Sequence, residues 1–260
     1  MMECFANLAI KYLIRHMNLC LDLGNTFGKV RIDEPGRPPV YQRQLSDEAL
    51  RLLIRQYHPE NIIYCDVRGT AAELIASAGF RGHLLRLTHE LPIPLKNCYQ
   101  TPQTLGMDRL AAALGAWAQF PWQHTLVIDA GTCITYDFVT AAAEFMGGII
   151  APGLQMRLKA MHTFTARLPL ITCDFSEKPP LIGQNTKDAM LSGAFNGLAA
   201  EINGIISHYQ AIFGRFNILL TGGDALFFDK TIKETNFVNE NVVLDGLKAA
   251  LDFNLVNCKF

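Results

Sequence analysis

The sequence has no Cys-x-x-Cys pair, no Gly-x-Gly, no block of one charge sign and no apolar run of membrane length. Each absence excludes a class. The seven cysteines, Cys4, Cys20, Cys65, Cys98, Cys133, Cys173 and Cys258, are scattered and odd in number. A disulfide framework or a zinc cluster needs paired spacing, so neither is expected. Several sit in apolar runs, where a free cysteine is a small hydrophobe suited to a reducing cytoplasm. No stretch reaches the ~18 apolar residues of a membrane span. Lysine plus arginine total 23 against 24 acidic residues, a net charge of -1. That balance offers no basic face for nucleic acid and no acidic tail. The seven histidines show no ligand spacing. Without Gly-x-Gly the dinucleotide fingerprint is missing. Gly24-Asn25-Thr26-Phe27-Gly28-Lys29 is one residue short of a P-loop, and Val30 stands where its Ser/Thr would be.

What is present is a chain of 260 residues, 50% hydrophobic and 18% charged, enough for one large domain or two ordinary ones. In Met1–His16 the basic residues Lys11 and Arg15 follow the apolar part, and no small-residue cleavage site comes after them. That is the reverse of a signal peptide. Met17 directly precedes the first strand, so residues 1–16 read as an extension dispensable for folding and activity.

The apolar run Asn18–Leu23 reads as a strand, with a Gly24-Asn25-Thr26 turn and a returning strand over Lys29–Ile32. Helices are expected at Asp47–Tyr57 and Thr70–Ala78, and strands at Asn61–Cys65 and His83–Leu87. Residues 88–105 contain Pro92, Pro94 and Pro102 without a period and read as a long loop. Gly106 opens an alanine-rich helix. A strand at His124–Asp129, a turn Ala130-Gly131-Thr132 and strands Ile134–Val139 and Phe145–Ile150 follow. A helical stretch comes after Pro152-Gly153, and then a loop over 169–184. The longest helix begins after Asn185-Thr186 and carries a stripe of Leu191, Phe195, Leu198, Ile202, Ile205 and Tyr209. Asn217–Leu220 is a strand ending in Thr221-Gly222-Gly223-Asp224. Two hairpins thus open in the same way, Asp22-Leu23-Gly24-Asn25-Thr26 and Asp129-Ala130-Gly131-Thr132. The repetition predicts two related α/β lobes, 17–120 and 121–260.

Glycine lets backbone N–H groups converge on a phosphate, and a hydroxyl adds a donor. An aspartate at the strand end suits Mg²⁺ or its water shell, and Lys29 could neutralise a phosphate. Either hairpin alone is equally an ordinary turn; two in corresponding positions, with a late Gly-Gly turn, are more specific.

These features resemble the acetate and sugar kinase, Hsp70 and actin superfamily. Within it, Tyr99-x-x-Pro102-x-x-Leu105-Gly106-x-Asp108-Arg109 is similar to the type III pantothenate kinase signature. So are Gly147-Gly148-Ile149-Ile150-Ala151-Pro152-Gly153, Thr165-Ala166-Arg167-Leu168-Pro169, and Asn185-Thr186 before Ser192-Gly193. The match runs in family order from Asn18 to about Leu247; Cys133 stands where alanine is expected. The resemblance implies a two-lobed α/β fold of the actin-like ATPase (ribonuclease H-like) type with an interlobe nucleotide cleft. It further implies a cytoplasmic homodimer that phosphorylates pantothenate with ATP and Mg²⁺, the first step of coenzyme A synthesis. The stripe of the longest helix is a candidate dimer surface or internal core.

By the same resemblance, Asp108 is the general base. Tyr99, Gly106, Met107, Asp108, Arg109 and Thr186 contact pantothenate. Asp22, Leu23, Gly24, Asn25, Thr26, Phe27, Gly28, Lys29 and Thr132 bind ATP, and Asp129 holds K⁺ or NH₄⁺. The residues themselves leave plainer readings open. Asp108 is also placed to cap a helix, Asn185 or Thr186 to cap the next, Tyr99 to be a half-buried loop aromatic, and Lys29 to be a solvated strand residue. Asp129 could hold Mg²⁺ or cap its turn, and Thr221–Asp224 could be a simple strand-to-helix turn instead of an adenosine-side one. Two rival functions also stand: another small-hydroxyl kinase of the superfamily, and a non-enzymatic accessory protein of the Bvg accessory factor kind.

Overall fold

A computed structural model describes residues 16–24, 27–172, 178–234 and 237–257. They form two units. One comprises the residues up to Pro121, Ala143–Phe145 and those from Asn241 onward; the other comprises Trp122–Ala142 and Met146–Glu240.

In the first unit the sheet order is β3-β2-β1-β4-β5. The apolar run of β1 (Asn18–Leu23) is explained by its central place, with neighbours on both edges. β2 (Gly28–Asp33) returns antiparallel and pairs Asp22 with Lys29. Its burial alternates, as a strand with one covered face requires. β3 (Val40–Leu45) has no apolar alternation to announce it and is an exposed edge strand. Ser46 caps α1 (Asp47–Tyr57), its hydroxyl accepting the Ala49 N–H at 3.2 Å. The helix ends on His58 in the left-handed region (φ 45°). β4 (Asn61–Asp66) lies parallel to β1, and Asn61 Nδ2 donates to Asn18 Oδ1 at 2.8 Å inside the sheet. That bond pins the register placing Cys65 opposite Asp22. α2 (Ala71–Ser77) and β5 (His83–Arg86) complete this layer.

The expected loop 88–105 is not wholly irregular. β6 (Lys96–Asn97) pairs with Glu144 and Phe145, the start of β9 (Glu144–Pro152), and Pro102–Thr104 forms a single 3-10 turn. α3 (Met107–Gln119) follows. The closing helix, α7 (Val242–Asn257), was not foreseen, and it packs on α3 in the first unit instead of extending the second. Contact is backbone to backbone. A Cβ on Gly246 would lie 1.8 Å from the Ala111 carbonyl oxygen, and one on Gly115 would lie 2.0 Å from that of Val242. Arg31 ties α7 to the sheet: it donates to Asp33 and, at 2.8 Å, to Asp245, which also accepts the Tyr41 hydroxyl at 2.6 Å. Overpacking such a contact costs about 1–3 kcal/mol. Gly246→Ala should therefore lower the melting temperature by roughly 3–10 °C in a chain of this size. An unchanged thermal unfolding midpoint would contradict the close helix approach.

In the second unit the order is β11-β10-β7-β8-β9. β7 (Thr125–Ala130) and β8 (Cys133–Val139) form the second hairpin, and β10 (Asn217–Thr221) runs parallel to β7 on its other side. This repeats the β2-β1-β4 arrangement, so each Asp-x-Gly turn joins an antiparallel hairpin whose first strand has a parallel neighbour. α4 (Leu154–Thr163), α5 (Thr186–Phe213), α6 (Ala225–Asp229) and β11 (Phe237–Val238) complete it. The stripe of α5 is core. Leu191, Phe195, Leu198 and Ile202 are buried against Leu126, Ile128, Tyr136 and Phe138, with Ile206 beside them and Ile205 and Tyr209 at the flank. It is therefore not a dimer surface. Among the described residues no helix is long and apolar enough to cross a membrane.

Candidate functional site

The Asp22 carboxylate, at the end of β1, is held from two sides. Lys29 Nζ stands 3.4 Å from Oδ2, and the Cys65 thiol donates to Oδ1 at 3.4 Å. Lys29 is therefore not merely solvated. Burial, then the negative Asp22 and Asp108, push the Cys65 thiol well above its ordinary range, so it remains a neutral donor. Sequence reasoning missed Cys65, because its neighbour across the sheet depends on a β1–β4 register no local pattern reveals. Leu23 points into the core, so only its backbone is available to a ligand. Gly28 packs under Leu50, where a Cβ would come within 2.7 Å of Leu50 Cδ1. Phe27 is exposed. Asn25 and Thr26 lie outside the described residues.

The first unit also gathers the Tyr99 to Arg109 signature. Gly106 is the N-cap of α3, and Asp108, in the first turn, is exposed. Its Oδ1 accepts the Arg109 N–H at 2.9 Å. A Cβ on Gly106 would lie 2.5 Å from that oxygen, so glycine is what lets the carboxylate fold over the helix start. Met107 is half-buried. Arg109 is buried, with its guanidinium 5.6 Å from the centre of the Tyr99 ring, and Tyr99 in turn stacks on Phe145 at 6.4 Å. Tyr99 is thus a fixed platform under a cation. Its own N–H donates to Asn97 Oδ1 at 3.0 Å.

In the second unit, Asp129 is the last residue but one of β7 and pairs across the ladder with Thr135 and Thr221. Gly222, at φ 91°, presses on this turn: a Cβ there would sit 2.4 Å from Asp129 Oδ1 and 2.3 Å from the Ala130 carbonyl oxygen. The Asp224 N–H donates to that same carbonyl at 2.9 Å, so the Gly222-Gly223 turn and the Gly131-Thr132 turn are one packed feature. Burial raises the Asp224 carboxyl above the usual carboxylate range. Thr132 is exposed and Cys133 half-buried. Asn185 takes the capping role on α5, accepting the Asp188 N–H at 2.9 Å. Thr186 is therefore exposed and not needed as the cap.

The family described as type III pantothenate kinase matches residues 18–208. This chain belongs to the type III pantothenate kinase family. A type III pantothenate kinase of Flavobacterium johnsoniae is 38% identical over 245 residues, covering 93% of this chain and all of the relative. The fold likeness is wider. A protein of Campylobacter jejuni described as a Baf family transcriptional activator superposes with TM-score 0.62 at 22% identity, over 91% of this chain and 98% of its own. MreB5 of Spiroplasma citri, solved bound to ADP, superposes with TM-score 0.52 at 11% identity, over 94% and 99%. At such identities these two speak for the fold alone, and they make it the actin-like ATPase fold. The chain is a kinase, and its family assigns it pantothenate phosphorylation.

The donors suit the ions a kinase uses. Asp22 offers hard carboxylate oxygens that keep lone pairs beyond those taken by Lys29 and Cys65, as a Mg²⁺ carried on phosphates and water needs. Asp129 places a second carboxylate beside the Gly222 turn.

Proposed function

We propose that this chain transfers the γ-phosphoryl group of ATP to the primary hydroxyl of pantothenate, giving ADP and 4'-phosphopantothenate, with Asp108 as the base. The observation that carries the role of Asp108 is its placement. It is an exposed carboxylate in the first turn of a helix, open to a substrate hydroxyl. The fixed Tyr99–Arg109 pair stands close by in sequence and in the same unit. Arg109 and Tyr99 hold the acceptor, with Gly106 and Met107 lining its place. Asp108 then takes the hydroxyl proton as the phosphoryl group arrives. In the first unit Lys29 and the turn after Asp22 bind phosphate, in the second Thr132 and its turn do so, and Asp22 would hold the Mg²⁺ that would supply charge neutralisation. Most of the rate enhancement in such transfers comes from positioning and charge stabilisation. A homodimer and a cytoplasmic location belong to the same proposal. Mass analysis of the product formed from ATP and pantothenate tests it: 4'-phosphopantothenate is expected, and ADP without a phosphorylated acceptor would contradict it.

A further inference from the structure

The Gly131-Thr132 turn of the second unit is held from behind by the chain that leaves β9. The Gly153 N–H donates to the Thr132 carbonyl at 3.1 Å. A Cβ on Gly153 would lie 2.1 Å from the Gly131 carbonyl oxygen and 2.6 Å from that of Thr132. Pro152 and Gly153 therefore lie flat against the turn, and any shift in them shifts it.

What fixes Pro152 and Gly153 is Arg157, one turn into α4. Its Nε donates to the Pro152 carbonyl at 2.8 Å, and its backbone N–H donates to that of Gly153 at 3.0 Å. Its Nη2 donates to Glu201 Oε2 on α5 at 2.5 Å. The remaining Glu201 oxygen accepts the Tyr136 hydroxyl from β8 at 3.2 Å. Tyr136 is fully buried; burial first, then the Glu201 carboxylate, push its phenol well up, so it stays a donor. Arg157 and Glu201 are 23% and 28% exposed, so the pair is shielded enough to be stiffer than a surface ion pair. A planar guanidinium can span two partners at fixed angles; an ammonium cannot do so from the same place.

We infer that Arg157, oriented by Glu201 and Tyr136, is a positioning residue for the nucleotide: it sets the second turn at the height where Thr132 meets the phosphates. This rests on the reading that Thr132 touches ATP. Arg157→Lys keeps the charge facing Glu201 but gives up the Nε bond to Pro152. In the nucleotide-free protein, the Gly153 amide should exchange with solvent about tenfold faster, read by NMR. The KM for ATP should rise about three- to tenfold, the loss expected of one hydrogen bond. The KM for pantothenate and kcat should hold. Glu201→Gln, which keeps an acceptor for Tyr136, should move the same two readouts in the same direction by less, and serves if Arg157→Lys folds poorly. Unchanged Gly153 exchange would overturn the inference, as would faster exchange with an unchanged KM for ATP. Thr132→Ala separates the causes. If it raises the KM for ATP while Arg157→Lys does not, only the positioning role falls. If it leaves that KM alone, the ATP reading of the turn falls as well.

Discussion

Replacing Asp108 by asparagine should lower turnover by about 100-fold or more while ATP binding survives. The substitution is informative because of what it preserves. Asp108 Oδ1 accepts the Arg109 N–H, and an asparagine oxygen can accept it equally. The side chain keeps its size over Gly106, so the helix start need not rearrange. Lost are the negative charge and the capacity to take a proton. A structural capping role therefore predicts near-normal turnover, and a base predicts collapse of kcat with an unchanged melting temperature. Near-normal kcat would remove Asp108 from the chemistry.

Activity should also depend on a monovalent cation. In a buffer holding only sodium, the rate should fall at least about tenfold, which is roughly 1.4 kcal/mol of barrier. Potassium or ammonium, added at constant ionic strength, should restore it. The reason lies in the second unit, where the Asp129 carboxylate sits over the Gly222 turn and Asp224 is tied to the neighbouring Ala130 carbonyl. Phosphates brought to Thr132 would add negative charge to that corner. Two like charges 4 Å apart repel by about 4 kcal/mol at an effective dielectric of 20, so partial relief accounts for the tenfold effect. Constant ionic strength matters because screening alone would mimic the response. Asp129→Ala should abolish the difference between ions. Equal rates in sodium and potassium would leave Asp129 as a turn residue or a Mg²⁺ ligand.

The elements legible in the sequence are those with a strong local signature. The β1 run, α1 and the long α5 stripe all fall where the sequence pattern puts them. The elements missed were made by tertiary contact. β3 is polar and forms only because β2 offers an open edge. β6 is two residues pairing with the start of β9. α7 returns to the first unit through glycine contacts with α3, and no pattern in residues 242–257 says which partner it will find. The site divides in the same way. The motifs named Asp22, Asp108, Asp129 and Thr132, yet Cys65 beside Asp22 and Arg157 behind the second turn follow only from register and packing. Asp108 and Asn185 show the limit from the other side. The sequence left Asp108 as a possible cap of one helix and Asn185 or Thr186 as the cap of the other; the structure gives the N-cap of α3 to Gly106 and that of α5 to Asn185.

The most direct test is ADP release by the purified chain, measured with Mg²⁺-ATP and potassium, with and without pantothenate. Pantothenate should raise ADP release well above the basal rate in the native chain and leave it at the basal rate in Asp108→Asn. ADP release that ignores pantothenate, or that responds equally in Asp108→Asn, would contradict a pantothenate kinase acting through that carboxylate.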